Sequence, residues 1–205
     1  MPSCSKAKNP QGVEIVFTEA DHSYKSSLAG REISYVSGTT FLGKFFKQFD
    51  PTGAITARCA KREGITVEEL KARWAEKGRR SCYYGTRLHE TCEDTLLGRA
   101  LRNTPETLEE EQRFANGIKM AKSILQKFEV LGIEKIVFSH SLPTPIAGTV
   151  DLLCKSKKDG SICIFDWKTN EKIDKENTYK SFCLDPISHI PDIALYHYAL
   201  QLSLY

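Results

Sequence analysis

Two aspartates and one lysine in a short part of the chain have the residue types of a divalent-metal site. Asp151 lies in the apolar run 146–155, and Asp166 and Lys168 lie in the run 161–168. Residues two apart in a strand share one face, so Asp166 and Lys168 are expected to project to the same side. Carboxylates placed close together repel each other unless a cation lies between them, and hard oxygen ligands favour Mg²⁺ or Mn²⁺.

A β-hairpin is the element that would bring these three charges together. The pair Asp159-Gly160, between the two runs, is a strong turn signal. A two-residue loop starting at Asp159 would oppose Asp151 to Lys168, and one starting at Lys158 would oppose it to Asp166. Both registers put the charges on one face, whereas a three-residue loop would not. The residues alone also allow an ordinary solvated strand face with a cross-strand ion pair.

Four short motifs occur in the order in which PD-(D/E)xK nucleases carry them. They are G-x-x-x-H-x-x-x-E at Gly85, His89 and Glu93, G-x-x-D at Gly148 and Asp151, D-x-K at Asp166 and Lys168, and Q-x-x-x-Y at Gln201 and Tyr205. The chain resembles this superfamily from about Phe17 to Tyr205. Within the superfamily it is most similar to the branch that contains the RecB nuclease domain and the mitochondrial genome maintenance exonuclease.

The resemblance implies a role for each motif residue. The implied metal ligands are His89, Asp151, Asp166 and the backbone carbonyl of Trp167. The implied catalytic residues are Glu93, Asp151, Asp166, Lys168, Gln201 and Tyr205. Glu93 would act directly or through water, with Glu90 as its alternative, and Lys168 would orient the attacking water and offset charge in the transition state. Gln201 and Tyr205 would contact the nucleic-acid backbone or brace the metal ligands.

One position departs from the family pattern. Many relatives carry an acidic residue shortly before the G-x-x-D strand, where this chain has His140, with Glu134 farther back. How a second metal ion would be held is therefore left open, as is the choice between one and two ions.

A cluster of positive charge precedes the histidine motif. The whole chain has a net charge of +3 and is only mildly basic, which does not by itself indicate a nucleic-acid binder. Residues 58–87, however, carry nine Lys and Arg against four Glu. They predict either a track for a phosphate backbone or a solvated helical surface. The predicted nucleic-acid-binding residues are Arg79, Arg80, Arg87 and Tyr84, the last by stacking on an unpaired base.

The cysteines and the absence of targeting signals suggest a compartment. The seven cysteines form no C-x-x-C pair, and the sequence shows no secretory signal and no apolar run long enough to cross a membrane. We expect reduced thiols in an intracellular compartment (cytoplasm, nucleus or a viral replication site) and no membrane contact. Some relatives hold an iron–sulfur cluster with three late cysteines, which this chain lacks. No such cluster is expected within it, unless a longer parent protein supplies ligands beyond Tyr205.

A chain of 205 residues with 40% hydrophobic content can form one substantial core, so we predict a single nuclease domain over residues 1–205. The expected elements are strands at 13–17 and 32–36, helices at 50–64, 66–78, 81–101 and 104–132, a strand at 135–140, the hairpin, and a helix at 193–205. This order predicts an α/β architecture. The resemblance implies a restriction-endonuclease-like core, with a central mixed β-sheet flanked by helices and a helical N-terminal insertion.

Three functions are compatible with these residues. The favoured one is a Mg²⁺- or Mn²⁺-dependent DNA exonuclease acting on single strands or free ends, with a helicase, polymerase or recombination protein as partner. An RNA endonuclease of the cap-snatching kind shares the histidine, acids and lysine but lacks the Q-x-x-x-Y helix. An inactive nucleic-acid-binding module would have no chemical reason to keep Asp151, Asp166 and Lys168 together.

Overall fold

The computed structural model describes residues 4–8, 12–170 and 172–205. In chain order its elements are β1 (Cys4–Lys8), β2 (Glu14–Thr18), β3 (Ser23–Leu28), β4 (Arg31–Ser37), α1 (Gly38–Gly43), α2 (Ala54–Glu63), α3 (Val67–Leu96), α4 (Leu108–Lys127), β5 (Phe128–Ser139), β6 (Ile146–Ser156), β7 (Ile162–Phe165) and α5 (Ala194–Leu204).

The strands form one mixed sheet in the order β1-β2-β3-β4-β6-β5, and β7 also pairs with β6. The first four strands form an antiparallel meander, β4 runs parallel to the start of β6, and β5 and β7 run antiparallel to β6. The prediction of an α/β fold with a mixed sheet flanked by helices is therefore confirmed.

Strand β6 lies at the centre of the apolar core. Its residues Leu152 and Cys154 are fully buried in a cluster with Leu96, Ala121 and Ile124. Ala147 belongs to a second cluster with Ile15, Tyr24, Tyr35 and Ile136. Because side chains alternate along a strand, β6 contributes to the core on both sides of the sheet.

Helix α3 is continuous where the sequence predicted two helices. Its start is as predicted, because Thr66 Oγ1 accepts a hydrogen bond from Glu69 N at 3.1 Å and Glu69 Oε2 accepts one from Thr66 N at 2.8 Å. The predicted break at Gly78 and the predicted cap at Ser81 are both wrong, since these residues lie inside the helix. An interior glycine costs only about 1 kcal/mol, and packing of α3 against α2 and α4 offsets this cost.

The boundary between α4 and β5 also differs from the prediction. Helix α4 begins after Thr107, whose hydroxyl accepts a hydrogen bond from Glu110 N at 3.1 Å, and it ends at Lys127 instead of Gly132. Strand β5 then starts at Phe128, seven residues before the predicted start at Lys135. The apolar residues after Phe128 pair with the end of β6, and this tertiary pairing outweighs the helical periodicity.

The N-terminal region contains four strands where two were predicted. Strands β2 and β4 match the predicted segments, whereas β1, β3 and helix α1 were not predicted. Strand β3 contains three serines among its six residues and so lacks a clear apolar pattern, although Tyr24 and Ser26 are buried alternately. Helix α2 is capped by Gly53, not by Asp50. Its predicted end near Gly64 is confirmed, and Gly64 adopts the left-handed conformation.

Six cysteines of the described residues are free thiols in the structure: Cys59, Cys82, Cys92, Cys154, Cys163 and Cys183. The expectation of a reducing compartment stays a prediction. The side chain of Cys4 lies outside the described part of the chain. None of the described helices combines the length and apolar character that a membrane crossing requires.

Candidate metal centre

The β6–β7 hairpin adopts one of the two predicted registers. Leu152 pairs with Phe165 and Cys154 with Cys163, which is the pairing expected for a loop starting at Lys158. Asp151 and Asp166 are consequently the next two opposing positions, just beyond the end of the ladder. The predicted two-residue turn is replaced by a four-residue connection, 157–160, closed by a hydrogen bond from Ser156 N to Ser161 O at 2.8 Å.

Asp151 is fixed by the segment that follows β7. Its Oδ2 atom accepts a hydrogen bond from Trp167 N at 2.7 Å and lies 3.6 Å from His89 Nδ1. Burial raises the pKa of Asp151 and the nearby charge of Asp166 adds to this rise, while the Trp167 N–H and the charges of His89 and Lys168 oppose it. A buried carboxylate beside a second carboxylate gains stability from an additional positive charge.

His89 projects from α3 towards the same point. Its Nε2 atom lies 3.0 Å from the carbonyl oxygen of Trp167. A proton on Nε2 lets the ring donate to this carbonyl and leaves the Nδ1 lone pair on the Asp151 side. Metal-binding histidines usually have their second ring nitrogen oriented by a carbonyl in this way. The Trp167 carbonyl, which the resemblance implied to be a ligand, here contacts the imidazole.

Glu134 is a member of the site that the sequence analysis did not select. His89, Glu134 and Asp151 each offer one ligand atom, and these three atoms all lie within 4.8 Å of one another. The neighbours of Glu134 in β5 pair with the neighbours of Asp151 in β6, so the two acids lie side by side. Its φ of 48°, rare for a non-glycine residue, belongs to this local departure from regular strand geometry.

Negative charge accumulates around Glu134. Burial of its carboxylate, followed by the charges of Asp151, Glu93 and Asp166, raises the pKa of Glu134 to about 7, although the residue keeps a solvent-exposed side. Glu134 and the three acids whose charges act on it, Asp151, Glu93 and Asp166, form a region of negative potential. Such a region favours a multivalent cation.

Asp166 holds the lysine of the D-x-K motif. Its Oδ2 atom lies 2.6 Å from Lys168 Nζ, and its Oδ1 atom accepts a hydrogen bond from Gln201 Nε2 at 3.4 Å. The contact with Lys168 is an ion pair without hydrogen-bond geometry, so the buried Oδ2 atom has no hydrogen-bond partner among the described residues. An oxygen in this state can still accept a cation or a water molecule.

Tyr205 packs closely against two glycines. A Cβ atom added to Gly148 would overlap the ring of Tyr205, with Cζ only 2.8 Å away, and one added to Gly38 would lie 3.0 Å from its Cε1. The phenol oxygen accepts a hydrogen bond from Gln201 Nε2 at 3.3 Å. A glycine is therefore required at position 148 for a steric reason: a side chain there would overlap the ring of Tyr205, the tyrosine of the Q-x-x-x-Y motif.

Gly148→Ala is expected to lower the free energy of unfolding by about 1 to 3 kcal/mol, because overpacking forces the Tyr205 ring to move. Urea unfolding measures the change. Gly78→Ala is the matched control: no atom lies within 4 Å of its added Cβ, and the same substitution inside a helix should stabilise the protein by about 0.5 to 1 kcal/mol. Tyr205→Leu should cost less in the Gly148→Ala background than in the wild type, and equal costs would contradict the steric explanation.

The predicted acids of α3 lie beside the site in ion pairs. Glu93 accepts from Arg99 at 2.9 Å through Oε1 and from Arg102 through Oε2. Glu90, the alternative to Glu93, accepts from Asn103 Nδ2 at 2.7 Å. Neither belongs to the three-residue group, so Glu93 influences the site through its charge on Glu134.

The four predicted nucleic-acid-binding residues fall into two environments. Arg79 pairs with Glu76 on the exposed surface of α3, and the guanidinium of Arg80 lies 5.8 Å from the ring centre of Tyr84. The Arg87 side chain, in contrast, is only 13% exposed and binds the buried Glu110 at 2.5 Å. Arg87 thus ties α3 to α4, and its environment is that of a structural ion pair.

Searches of protein-family models, curated proteins and solved structures found no match to this chain.

Proposed function

We propose that this chain is a Mg²⁺- or Mn²⁺-dependent nuclease with a restriction-endonuclease-like core, and that it acts as a DNA exonuclease on single strands or free ends. The observation that carries the proposal is the convergence of His89, Glu134 and Asp151 beside the Asp166–Lys168 pair. These groups come from α3, β5, β6 and the segment after β7. Their convergence therefore depends on the tertiary fold and not on sequence proximity.

The donor set fits a hard divalent cation. It offers an imidazole whose Nε2 contacts a carbonyl, two adjacent carboxylates and a buried carboxylate oxygen without a hydrogen-bond partner. His89, Glu134, Asp151 and Asp166 would hold the ion. When bound, the ion supplies a water molecule of lowered pKa and neutralises part of the charge on the scissile phosphate.

The residues around the donor set have positioning and electrostatic roles. Lys168 presents an ammonium group beside Asp166 that can orient a water molecule and offset negative charge as it develops on the phosphate. Gln201 restrains the second oxygen of Asp166 and the hydroxyl of Tyr205. This bracing would limit the motion of the acid–lysine pair and preserve the geometry needed for reaction.

The preference for DNA strands or ends rests on the motif order and on the basic surface of α3. The Q-x-x-x-Y motif is absent from cap-snatching nucleases, and its Gln201 here contacts both Asp166 of the D-x-K motif and Tyr205. Arg79 and Arg80, with the ring of Tyr84, offer charge and a stacking surface near the site.

A digest of three labelled substrates tests the function. Linear single-stranded DNA should be degraded with Mg²⁺ or Mn²⁺, while a covalently closed DNA circle and an RNA of the same sequence should stay intact. EDTA should stop the reaction and Mn²⁺ should restore it. Cleavage of the circle would show an endonuclease instead of an exonuclease. Preferred cleavage of RNA would show that RNA, and not DNA, is the substrate. No cleavage of any substrate would refute the proposal.

The same cleavage assay tests whether Glu134 is a metal ligand. Glu134→Gln should raise the Mn²⁺ concentration needed for half-maximal activity by about tenfold or more, because it removes one charged oxygen donor. Glu129→Gln, an exposed change in the same strand, is the control. An unchanged requirement in the Glu134 variant would exclude this residue from the ligand set.

A further inference from the structure

A basic groove begins beside the proposed metal centre and runs between α3 and α4. It consists of two cavities of about 720 and 370 Å³ that share the residues Lys77, Ser81 and Arg113. The smaller cavity is also lined by Thr169 and Asn170. The shared residues make the two cavities one continuous groove, which we call the α3–α4 groove.

The groove carries more positive than negative charge. Among the described residues its walls contain six basic ones, Arg73, Lys77, Arg79, Arg80, Arg113 and Lys172, and three acidic ones, Glu76, Glu109 and Asp174. The acids are each paired, with Arg79, Arg113 and Lys172 respectively. Within the described ranges, Lys77 and Arg80 form no ion pair, so both ammonium and guanidinium are free to bind an anion.

The groove adjoins the lysine of the metal centre. Thr169 and Asn170 directly follow Lys168 in the chain. Asn170 Oδ1 accepts a hydrogen bond from the hydroxyl of Tyr198 at 2.8 Å, and the Tyr198 ring centre lies 5.0 Å from Lys168 Nζ. A polymer that passes the ammonium of Lys168 would therefore meet the mouth of the groove.

We infer that the α3–α4 groove binds an unpaired DNA strand on one side of the scissile phosphate. Phosphates would contact Lys77 and Arg80, and a base would stack on Tyr84. Cavities of 720 and 370 Å³ are the size of small-ligand sites, which suits a few nucleotides of one strand. The inference rests on the proposed function and adds the residues that hold the strand.

Strand binding can be measured without cleavage. A fluorescent single-stranded DNA of about 12 nucleotides is titrated with protein in EDTA, and anisotropy gives the Kd at several salt concentrations between about 50 and 200 mM. Lys77→Ala/Arg80→Ala should weaken binding by about tenfold or more. It should also reduce the slope of log K against log salt by about 1.4, since each neutralised phosphate of a single strand contributes about 0.7.

The control removes the same charge from α4 outside the groove. Lys119→Ala/Lys122→Ala alters two exposed lysines of α4 and should leave both Kd and slope unchanged. An equal loss in the control, or no loss in the groove variant, would overturn the inference, as would tighter binding of the corresponding RNA.

Failure of the inference and failure of the proposed function are separable. A small chromogenic phosphodiester, thymidine 5′-(p-nitrophenyl phosphate), reports on the metal centre without filling the groove. The groove variant should lose far less of this rate than of its affinity for the single-stranded DNA, and a loss of rate as large as the loss of affinity would contradict a role in strand binding. If the wild-type chain cleaves no substrate but the groove variant still loses binding and salt slope, the inference holds and the nuclease proposal fails.

Discussion

Asp166→Asn is expected to lower the rate of DNA cleavage by about 10³-fold, the loss typical of removing one essential charged group from a transition-state site. The substitution keeps the size of the side chain but removes the charge that lies 2.6 Å from Lys168 Nζ. It also removes the buried oxygen that has no hydrogen-bond partner among the described residues. Single-turnover digestion of an end-labelled strand with Mn²⁺ measures the loss.

Folding must be monitored in the same variant. The circular dichroism spectrum and the urea midpoint should match the wild type, because asparagine can still accept from Gln201. Asp159→Asn is the matched control, since Asp159 lies at the opposite end of the same hairpin, where it accepts from Ser161. Its activity should be unchanged. Activity of the Asp166 variant within tenfold of the wild type would remove Asp166 from the proposed chemistry.

Glu110→Gln is expected to lower the free energy of unfolding by about 2 kcal/mol at neutral pH, because it leaves the guanidinium of Arg87 without its buried charged partner. The Glu110 side chain is 1% exposed and receives hydrogen bonds from Arg87 Nε at 2.5 Å and from Glu106 N at 2.7 Å. For a chain of this size the melting temperature should fall by about 4 to 8 °C. Calorimetry and urea unfolding measure both quantities.

The difference in the free energy of unfolding between the wild type and Glu110→Gln should also depend on pH. Burial alone would raise the pKa of Glu110, but the hydrogen bonds from Arg87 and Glu106 and the charges of Arg87 and Arg113 together lower it below its ordinary value of 4.5. The ionised carboxylate therefore stabilises the folded state above about pH 4.5, and this contribution is lost as the pH falls through the lower folded-state pKa. The gap between wild type and variant should shrink below pH 4.5.

The neighbouring position supplies the control for the stability measurement. Glu111→Gln changes an exposed acid in the same turn of α4, and it should alter the free energy of unfolding by less than about 0.5 kcal/mol. A gap between wild type and Glu110→Gln that stays constant from pH 7 to below pH 4.5 would contradict the ionic explanation.

The hairpin shows how far strand periodicity predicts this site. Alternation predicted Asp151, Asp166 and Lys168 on one face, and the observed pairing of Leu152 with Phe165 agrees with one of the two registers. The predicted strand over 161–168 is too long, however, because β7 ends at Phe165, before Asp166 and Lys168. The choice between registers depended on the loop. A four-residue connection cannot be distinguished from a two-residue turn by the Asp159-Gly160 signal, since Gly160 adopts positive φ in the longer loop.

Glu134 shows what periodicity cannot predict. It lies 17 positions before Asp151 in the sequence, and its place beside Asp151 follows from the long antiparallel pairing of β5 with β6. The sequence predicted β5 to begin at Lys135, which left Glu134 in a loop. The strand begins earlier because residues after Phe128 find partners in β6, and such pairing is a tertiary effect.

The charge pattern of the sequence likewise predicted a basic segment but not which of its arginines are exposed. Arg79, Arg80 and Arg87 were grouped because they lie in one basic segment. The fold separates them, since Arg87 faces the buried Glu110 while Arg80 faces a groove. The position of α4, which the sequence does not give, decides which arginine is buried against Glu110 and which one faces the groove.

Because α3 is one continuous helix, it fixes the distance between the proposed metal centre and the groove. His89 and the groove residue Lys77 lie on the same rigid helix, twelve residues apart, which corresponds to a rise of about 18 Å. A strand that reached both would span about five stacked nucleotides at about 3.4 Å each. If the proposed nuclease activity holds, the length of product that the protein can still bind would be set by a helix that contains no proline, and not by a flexible loop.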